Sequence, residues 1–168
     1  MKFNFLIITL LFSTLGFTQQ MDLNTLETIL KKEADTIEGS NGRWQYLYKN
    51  KLMITISDQQ NNRMRIISPV IEVEKLDKDL LLDCLTANFH SALDVRYAIA
   101  NDLLWVAYIH PLKELTEIQL REAIKQVYNA NVTFGTTFSS TSLLYGPDKK
   151  NNSKANDSVT DSLKLERF

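Results

Sequence analysis

Histidine, cysteine and acidic side chains are the residues of this chain that could support catalysis or bind a metal. The two histidines, His90 and His110, have no cysteine or carboxylate at metal-ligand spacing. An acidic stretch runs from Glu72 to Asp83, but it lacks the glycine turn and alternating oxygen ligands of a calcium loop. No nucleophile-elbow, phosphate-binding or dinucleotide-binding motif is present in the sequence. We therefore expect no catalytic residue, no metal site and no cofactor.

Aromatic side chains are the candidates for binding. Trp44, Tyr46 and Tyr48 alternate along one predicted strand, so they share one face. Aromatic rings with a polar tip suit both a protein core and a protein interface, and both alternatives stay open for this row. We take Trp44, Tyr46 and Tyr48 as the candidate protein-binding residues.

Trp105 belongs to a later strand, "LLWVAYI", whose two faces are both apolar. Such a strand is covered on both sides, or is covered by helices on one side and by a partner or ligand on the other. We expect Trp105 itself in the core. Cys84, within "DLLLDCLTANF", is expected to be buried as well, because free cysteine is among the most buried residue types.

The elements that position these residues follow from hydrophobic periodicity. Apolar residues at helical spacing predict one helix over Asp22–Ile37 and a second over Asp77–Leu93. A third helix opens at the capping box Thr116 to Gln119, and its end is not clear from the sequence. Alternating segments predict five strands, which are Arg43–Tyr48, Leu52–Ser57, Arg63–Ser68, Val95–Ala100 and Leu103–Ile109. The order α-β-β-β-α-β-β-α predicts an α+β fold with an antiparallel sheet of about five strands.

The two ends of the chain differ from this domain. Residues 1–18 combine Lys2, an apolar stretch from Phe5 to Phe12 and small or polar residues before Gln19, which is the layout of a signal peptide. Residues 147–168 are rich in Asn, Ser, Asp and Lys, a composition typical of a disordered tail. The sequence thus predicts a signal peptide over 1–18, a domain over 19–146 and a disordered tail over 147–168. We expect a secreted or periplasmic protein that does not stay inserted in a membrane once the signal is removed.

Charge and cysteine content exclude some functions. The formal net charge is −1, so nothing electrostatic favours a nucleic-acid partner. With one cysteine the chain can form no internal disulfide, and the domain must be stable by packing alone.

The second half of the domain resembles a known group. The helix ending in "NFHSAL", the strands "VRYAIAND" and "LLWVAYIHPL" and the helix start "LTEIQLREAI" occur in this order between Leu80 and Val127. Together they resemble the bacterial YbjN family, whose fold is that of type III secretion chaperones. The resemblance implies a binding or chaperone-like scaffold without a known catalytic centre. Unlike the secretion chaperones, this chain carries a predicted signal peptide, so delivery of substrates to a cytosolic export machine is not expected.

Two functional hypotheses follow. The first is a non-enzymatic, chaperone-like binding module that holds a protein partner or a second copy of itself. The alternative is a small extracytoplasmic enzyme or ligand carrier with a pocket between sheet and helices. An open apolar patch would favour the first hypothesis, and an enclosed cavity with converging polar groups would favour the second.

Overall fold

A computed structural model describes residues 20–141 of the 168-residue chain. The predicted signal peptide over 1–18 and the predicted tail over 147–168 lie outside the described residues. No helix between residues 20 and 141 is long and apolar enough to cross a bilayer.

The described residues form three α-helices and a six-stranded sheet. The helices are α1 (Leu23–Glu33), α2 (Lys78–His90) and α3 (Glu117–Val132), and a 3₁₀ turn spans Val73–Lys75. The strands are β1 (Thr36–Ser40), β2 (Arg43–Tyr48), β3 (Lys51–Asp58), β4 (Arg63–Glu72), β5 (Val95–Ala100) and β6 (Leu103–His110). All neighbours pair antiparallel, in the spatial order β1-β2-β3-β4-β6-β5. The predicted α+β class and antiparallel sheet are confirmed.

Each helix begins where the sequence provides a cap. The side chain of Asp22 accepts a hydrogen bond of 2.7 Å from the backbone N–H of Thr25, and Asp77 caps α2 in the same way at Leu80. At α3 the predicted capping box between Thr116 and Gln119 is present. These bonds satisfy backbone donors that the first turn of a helix otherwise leaves without partners.

The prediction for the first helix was wrong at its end. Ile37 was assigned to that helix, but α1 stops at Glu33 and Ile37 lies in β1, an edge strand that the periodicity did not show. A tight turn at Asn41 and Gly42, both with positive φ, folds β1 onto β2. Gly39 has no room for a side chain, because an added Cβ would lie 2.2 Å from the carbonyl oxygen of Arg43. Strand β1, which the sequence did not predict, thus depends on a close backbone contact with β2.

The core lies between one face of the sheet and the three helices. Strand β2 shows the alternation clearly, since every second side chain is buried and the others are exposed. Helix α3 crosses the centre of the sheet and buries Leu120, Ile124 and Val127 against it. The guanidinium of Arg121 also binds Glu33 of α1 and Glu117 of α3, which ties these two helices together. Among the described residues, the helices bury strand side chains only on this one face of the sheet.

Candidate protein-binding surface

The opposite face of the sheet is open. We call the outward side chains of the six strands the open face. No position on it is fully buried among the described residues, whereas the inward positions of β2 and β6 are buried one after another. Most of its centre is nevertheless apolar. Its apolar members are Leu47, Leu52, Ile54, Ile56, Ile67, Pro69, Ala98, Ala100, Leu103, Trp105, Ala107 and Ile109.

Strand register places these apolar side chains in rows that cross the sheet. One row contains Ile54, Ile67 and Ala107, and it ends at Gln45 on β2 and at Arg96 on β5. The row beside it contains Leu47 paired with Leu52, and Pro69 paired with Trp105. Neighbouring strands lie about 4.8 Å apart, so each row is continuous from strand to strand. The open face is therefore a contiguous apolar surface.

Trp105 belongs to this surface, and the prediction that it is a core residue was wrong. Its ring is partly buried on the open face, and its indole Nε1 donates a hydrogen bond of 2.9 Å to the carbonyl oxygen of Ala100. With the polar edge of the ring satisfied, its apolar surface lies along β5 and β6. Strand β6 was expected to be covered either on both sides or by helices on one side only. The structure shows helices on one side, and Trp105 lies on the uncovered side.

The aromatic row of β2 lies on the helix-covered face. Trp44 and Tyr46 are each 2% exposed and Tyr48 is 7% exposed, so in the single chain all three are core residues. The hydroxyl of Tyr46 shares a buried hydrogen bond of 3.2 Å with Thr55 Oγ1, and burial raises the pKa of Tyr46 far above its usual value. Tyr48 packs edge-on against Tyr128 of α3, with ring centroids 5.5 Å apart. Binding of a partner by this row stays a prediction, and the rings are not accessible in this conformation.

The residues considered for chemistry do not come together. His90 is exposed at the end of α2, whereas His110 stacks on Tyr108 at the end of β6 and donates from Nδ1 to the carbonyl oxygen of Pro111 at 2.7 Å. Between residues 20 and 141, no three His, Cys, Asp or Glu side chains are grouped so that they could hold a metal ion. The thiol of Cys84 is buried at 1% exposure, as predicted. Burial and the charge of Asp83 raise its pKa to about 11, so it is a poor nucleophile at neutral pH.

Helix α2 carries a second exposed apolar surface, which we call the α2 stripe. It consists of Leu81, Leu82, Leu85 and Phe89, and their exposed fractions rise along the helix from 37% to 86%. Their spacing confines them to about 100° of the helix circumference. The fully buried residues of α2 are Cys84 and Ala87, and Leu80 is partly buried against the core, so most of the large apolar side chains of this helix face outward.

The outer edge of the sheet at β5 is closed at one residue by a side chain. The amide of Asn88 on α2 accepts from the backbone N–H of Tyr97 at 2.8 Å and donates to its carbonyl oxygen at 3.1 Å. This pair of bonds replaces those that a further strand would make, and side-chain cover of this kind protects an edge strand from pairing with another chain.

Comparison with solved structures relates this arrangement to known proteins. A chain of the HopA1–SchA chaperone–effector complex is 12% identical with a TM-score of 0.52, over 65% of this chain and 88% of that one. A chain of the complex of the Yersinia pestis type III secretion chaperone SycH with a stable fragment of YscM2 is 14% identical with a TM-score of 0.51, over 67% of this chain and 98% of that one. The fold is that of a type III secretion chaperone. No family model matches the chain, and no curated protein matches it in sequence.

The chaperone fold leaves the open face and the α2 stripe uncovered in this chain, and sequence reasoning did not select either as the binding site. A signal for the open face was present, because β6 is apolar on both of its faces. The candidate row was chosen for its aromatic residues instead. The apolar spacing of α2 was used only to predict that helix.

Proposed function

We propose that the protein is a non-enzymatic, chaperone-like binding module of the YbjN type that holds a protein partner on its open face. The observation that carries the proposal is the contiguous apolar surface on the side of the sheet that no helix covers. Uncovered apolar surface of this kind marks sites of interaction. The fold supports it, since both solved neighbours are complexes in which a chaperone is bound to another protein.

The arrangement favours a binding module over the alternative of an enzyme or ligand carrier. The space between sheet and helices is filled by side chains that are close to 0% exposed, among them Leu26, Ile66 and Ile124. A pocket enzyme would place its reactive groups in an enclosed cavity at such a position. The open apolar patch is instead the feature that we expected of an interaction module.

A paired substitution tests the proposal. Ile54→Ser with Trp105→Ser removes apolar surface from the open face, and Ile118→Ser with Val132→Ser removes it from exposed positions of α3. The wild-type protein and both variants would be used as bait for the native envelope fraction, and captured proteins would be identified by mass spectrometry. We expect one protein to be captured by the wild type and by the α3 variant, and to be lost from the open-face variant. Equal capture by the two variants, with melting temperatures within about 3 °C, contradicts the proposal.

We also propose that the chain is exported and acts outside the cytoplasm. The proposal depends on the signal-peptide pattern of residues 1–18, in which Gly16 and Thr18 are the small or polar residues near the expected cleavage site. Intact mass measurement of the secreted or periplasmic protein should give a chain that begins near Gln19. A mature protein that retains Lys2 contradicts it.

Self-association is a second role, and the α2 stripe favours it. Phe89 is 86% exposed and Leu85 is 58% exposed, a strongly apolar surface for a single chain in water. Two copies could bury their stripes against each other around a twofold axis, because such a contact is self-complementary. Sedimentation velocity should show a dimer that Leu85→Ser with Phe89→Ser converts to a monomer. A wild-type monomer at 100 times the working concentration contradicts this role and leaves the open-face proposal intact.

A further inference from the structure

Three arginines lie at one end of the open face. Arg43 of β2 pairs with Ile56 of β3, and Ile56 pairs in turn with Arg65 of β4, so the two guanidinium groups flank one apolar side chain. Arg63 lies one row further out on the same face of β4. Two strand spacings separate the Cα atoms of Arg43 and Arg65 by about 10 Å. We call Arg43, Arg63 and Arg65 the arginine end.

These charges are not neutralised within the part of the chain that the structure describes. Arg43 and Arg65 are exposed and form no ion pair or side-chain hydrogen bond between residues 20 and 141. The guanidinium of Arg63 donates to the backbone oxygen of Asn62 at 3.3 Å. Asp58 pairs with Arg63 across the strands, but its carboxylate is bound by Asn61 instead, at 3.0 and 2.8 Å. The arginine end therefore carries three positive charges beside the single negative charge of Asp58, which forms no ion pair with them within residues 20–141.

The arginine end borders a hollow of about 680 Å³. Its wall combines all three arginines with apolar side chains from both sides of the sheet end, including Leu23 and Ile109. Ser57 also lines it, and the Ser57 hydroxyl has no hydrogen-bond partner among the described residues. Charged and apolar groups thus meet in one concave region that continues into the apolar rows of the open face.

We infer that the open face takes an acidic and apolar protein segment, with its carboxylates at the arginine end and its apolar side chains on the rows beyond. The inference rests on the proposed function and names the chemistry of its partner. Arginine is well suited to this role, because its planar guanidinium binds carboxylates through two hydrogen bonds.

Other anionic partners fit this surface less well. The apolar rows are complementary to apolar side chains, which a nucleic acid lacks. An anionic membrane would meet the whole border of the face, but Glu38 and Glu72 lie on that border away from the arginine end. A segment with acidic residues at one end matches the uneven charge of this surface.

Selection of peptides tests the inference. Random 12-residue peptides displayed on phage would be selected on the full exported chain, and on three variants of it. Arg43→Gln with Arg65→Gln removes charge from the arginine end, and Lys32→Gln with Lys78→Gln removes the same charge from exposed helical positions. The third variant is Ile54→Ser with Trp105→Ser. We expect peptides rich in both apolar and acidic residues from the wild type and from the lysine variant.

The variants separate this inference from the proposed function. Arg43→Gln with Arg65→Gln should weaken a selected acidic peptide about 2- to 30-fold at low salt, the range for two exposed charge pairs. The difference should shrink in 0.5 M NaCl, where exposed charges are screened. Apolar peptides without acidic enrichment would overturn the inference and leave the proposed function in place. Two outcomes would overturn both the inference and the proposed function. One is that the selected peptides bind the Ile54→Ser, Trp105→Ser variant as well as they bind the wild type. The other is that the selection enriches no peptide at all.

Two further experiments test whether a membrane or the chain's own C-terminal segment occupies the same surface. Binding of the wild type to phosphatidylserine vesicles, lost with Arg43→Gln and Arg65→Gln, would reassign the arginine end to a membrane. Removal of residues 148–168 should leave peptide affinity unchanged. An increase of tenfold or more on this deletion would show that the chain's own C-terminal segment occupies the face, and would overturn the assignment to a partner.

Discussion

The side-chain amide of Asn131 on α3 donates a hydrogen bond of 2.8 Å to the hydroxyl of Ser68 on β4. The same amide nitrogen donates to the carbonyl oxygen of Pro69 at 2.8 Å, beside the register shift that separates Pro69 from Ile71. The Ser68 hydroxyl in turn donates a hydrogen bond of 2.7 Å to the carbonyl oxygen of Leu52. A buried polar chain thus joins α3, β4 and β3, and fixes the helix over the centre of the sheet.

Replacing Asn131 should therefore destabilise the fold. Asn131→Ala removes both donors and leaves the partly buried carbonyl oxygen of Pro69 without this partner, which we expect to cost about 1–3 kcal/mol of unfolding free energy. Urea unfolding followed by circular dichroism measures the change. Val132→Ala, at a neighbouring position that is 43% exposed, is the control and should cost far less. Equal effects of the two substitutions would show that the polar chain adds nothing.

Two aromatic substitutions should behave in opposite ways because their rings lie on opposite faces of the sheet. Tyr46→Ala empties a site that is 2% exposed and leaves Thr55 without its partner, so it should cost about 3–5 kcal/mol. Trp105→Ala removes a partly buried ring from the open face and should cost about 1 kcal/mol. Thermal melts of both variants measure the two losses of stability. A Trp105 variant that is as unstable as the Tyr46 variant would contradict this assignment of faces.

Cys84 should be nearly inert in the folded protein. With its pKa at about 11, only about one thiol in a thousand is ionised at pH 8. Reaction with a disulfide reagent should therefore follow unfolding, and become fast in urea. Because the folded pKa lies above that of an unfolded thiol, about 8.5, stability should be constant below that pH and fall as pH rises toward 11. Complete labelling of the native protein within minutes at pH 8 would contradict the buried position.

The Asn88 side chain should protect the β5 edge. Asn88→Ala removes both of its bonds to Tyr97, and we expect the backbone amide of Tyr97 to exchange its hydrogen at least tenfold faster. Hydrogen exchange measured by NMR gives the rate, with the amide of Val106 in the neighbouring strand as internal reference. Thr86→Ala, at an exposed position of the same helix, should leave the rate unchanged. Unaltered exchange at Tyr97 would mean that the edge is closed by other groups.

The C-terminal residues should contribute little to stability. Residues 147–168 are predicted to be disordered from their composition, so deletion of 148–168 should shift the melting temperature by less than about 2 °C. Differential scanning calorimetry of the full and shortened proteins is the measurement. A fall of more than about 6 °C would instead indicate that the segment packs on the domain through its apolar residues Val159, Leu163 and Leu165.

The sequence by itself determined the fold class and most of the element order. Helical and alternating periodicities are local properties, and caps such as Thr116 with Gln119 act within a single turn. The edge strand around Ile37 was missed because its identity depends on pairing with β2, whose partner residues are three to eleven positions away along the chain. The continued 3.6-residue spacing through Ile37 therefore indicated a helix that the tertiary contact overrides.

Only the tertiary structure decided which face of the sheet the helices cover. Alternation divides the residues of a strand between two faces, so it correctly separated Val106 from Trp105 and Tyr46 from Gln45. It cannot identify the buried face of β6, because both faces of that strand are apolar. In β3 the more apolar face, which carries Leu52, Ile54 and Ile56, is the one that the helices leave uncovered. That choice is made by where α1 and α3 pack, and their contacts with strands distant in the sequence bury the row of Trp44 and leave Trp105 on the open face. Packing between distant elements, rather than residue type, therefore determined which aromatic side chains lie on the open face.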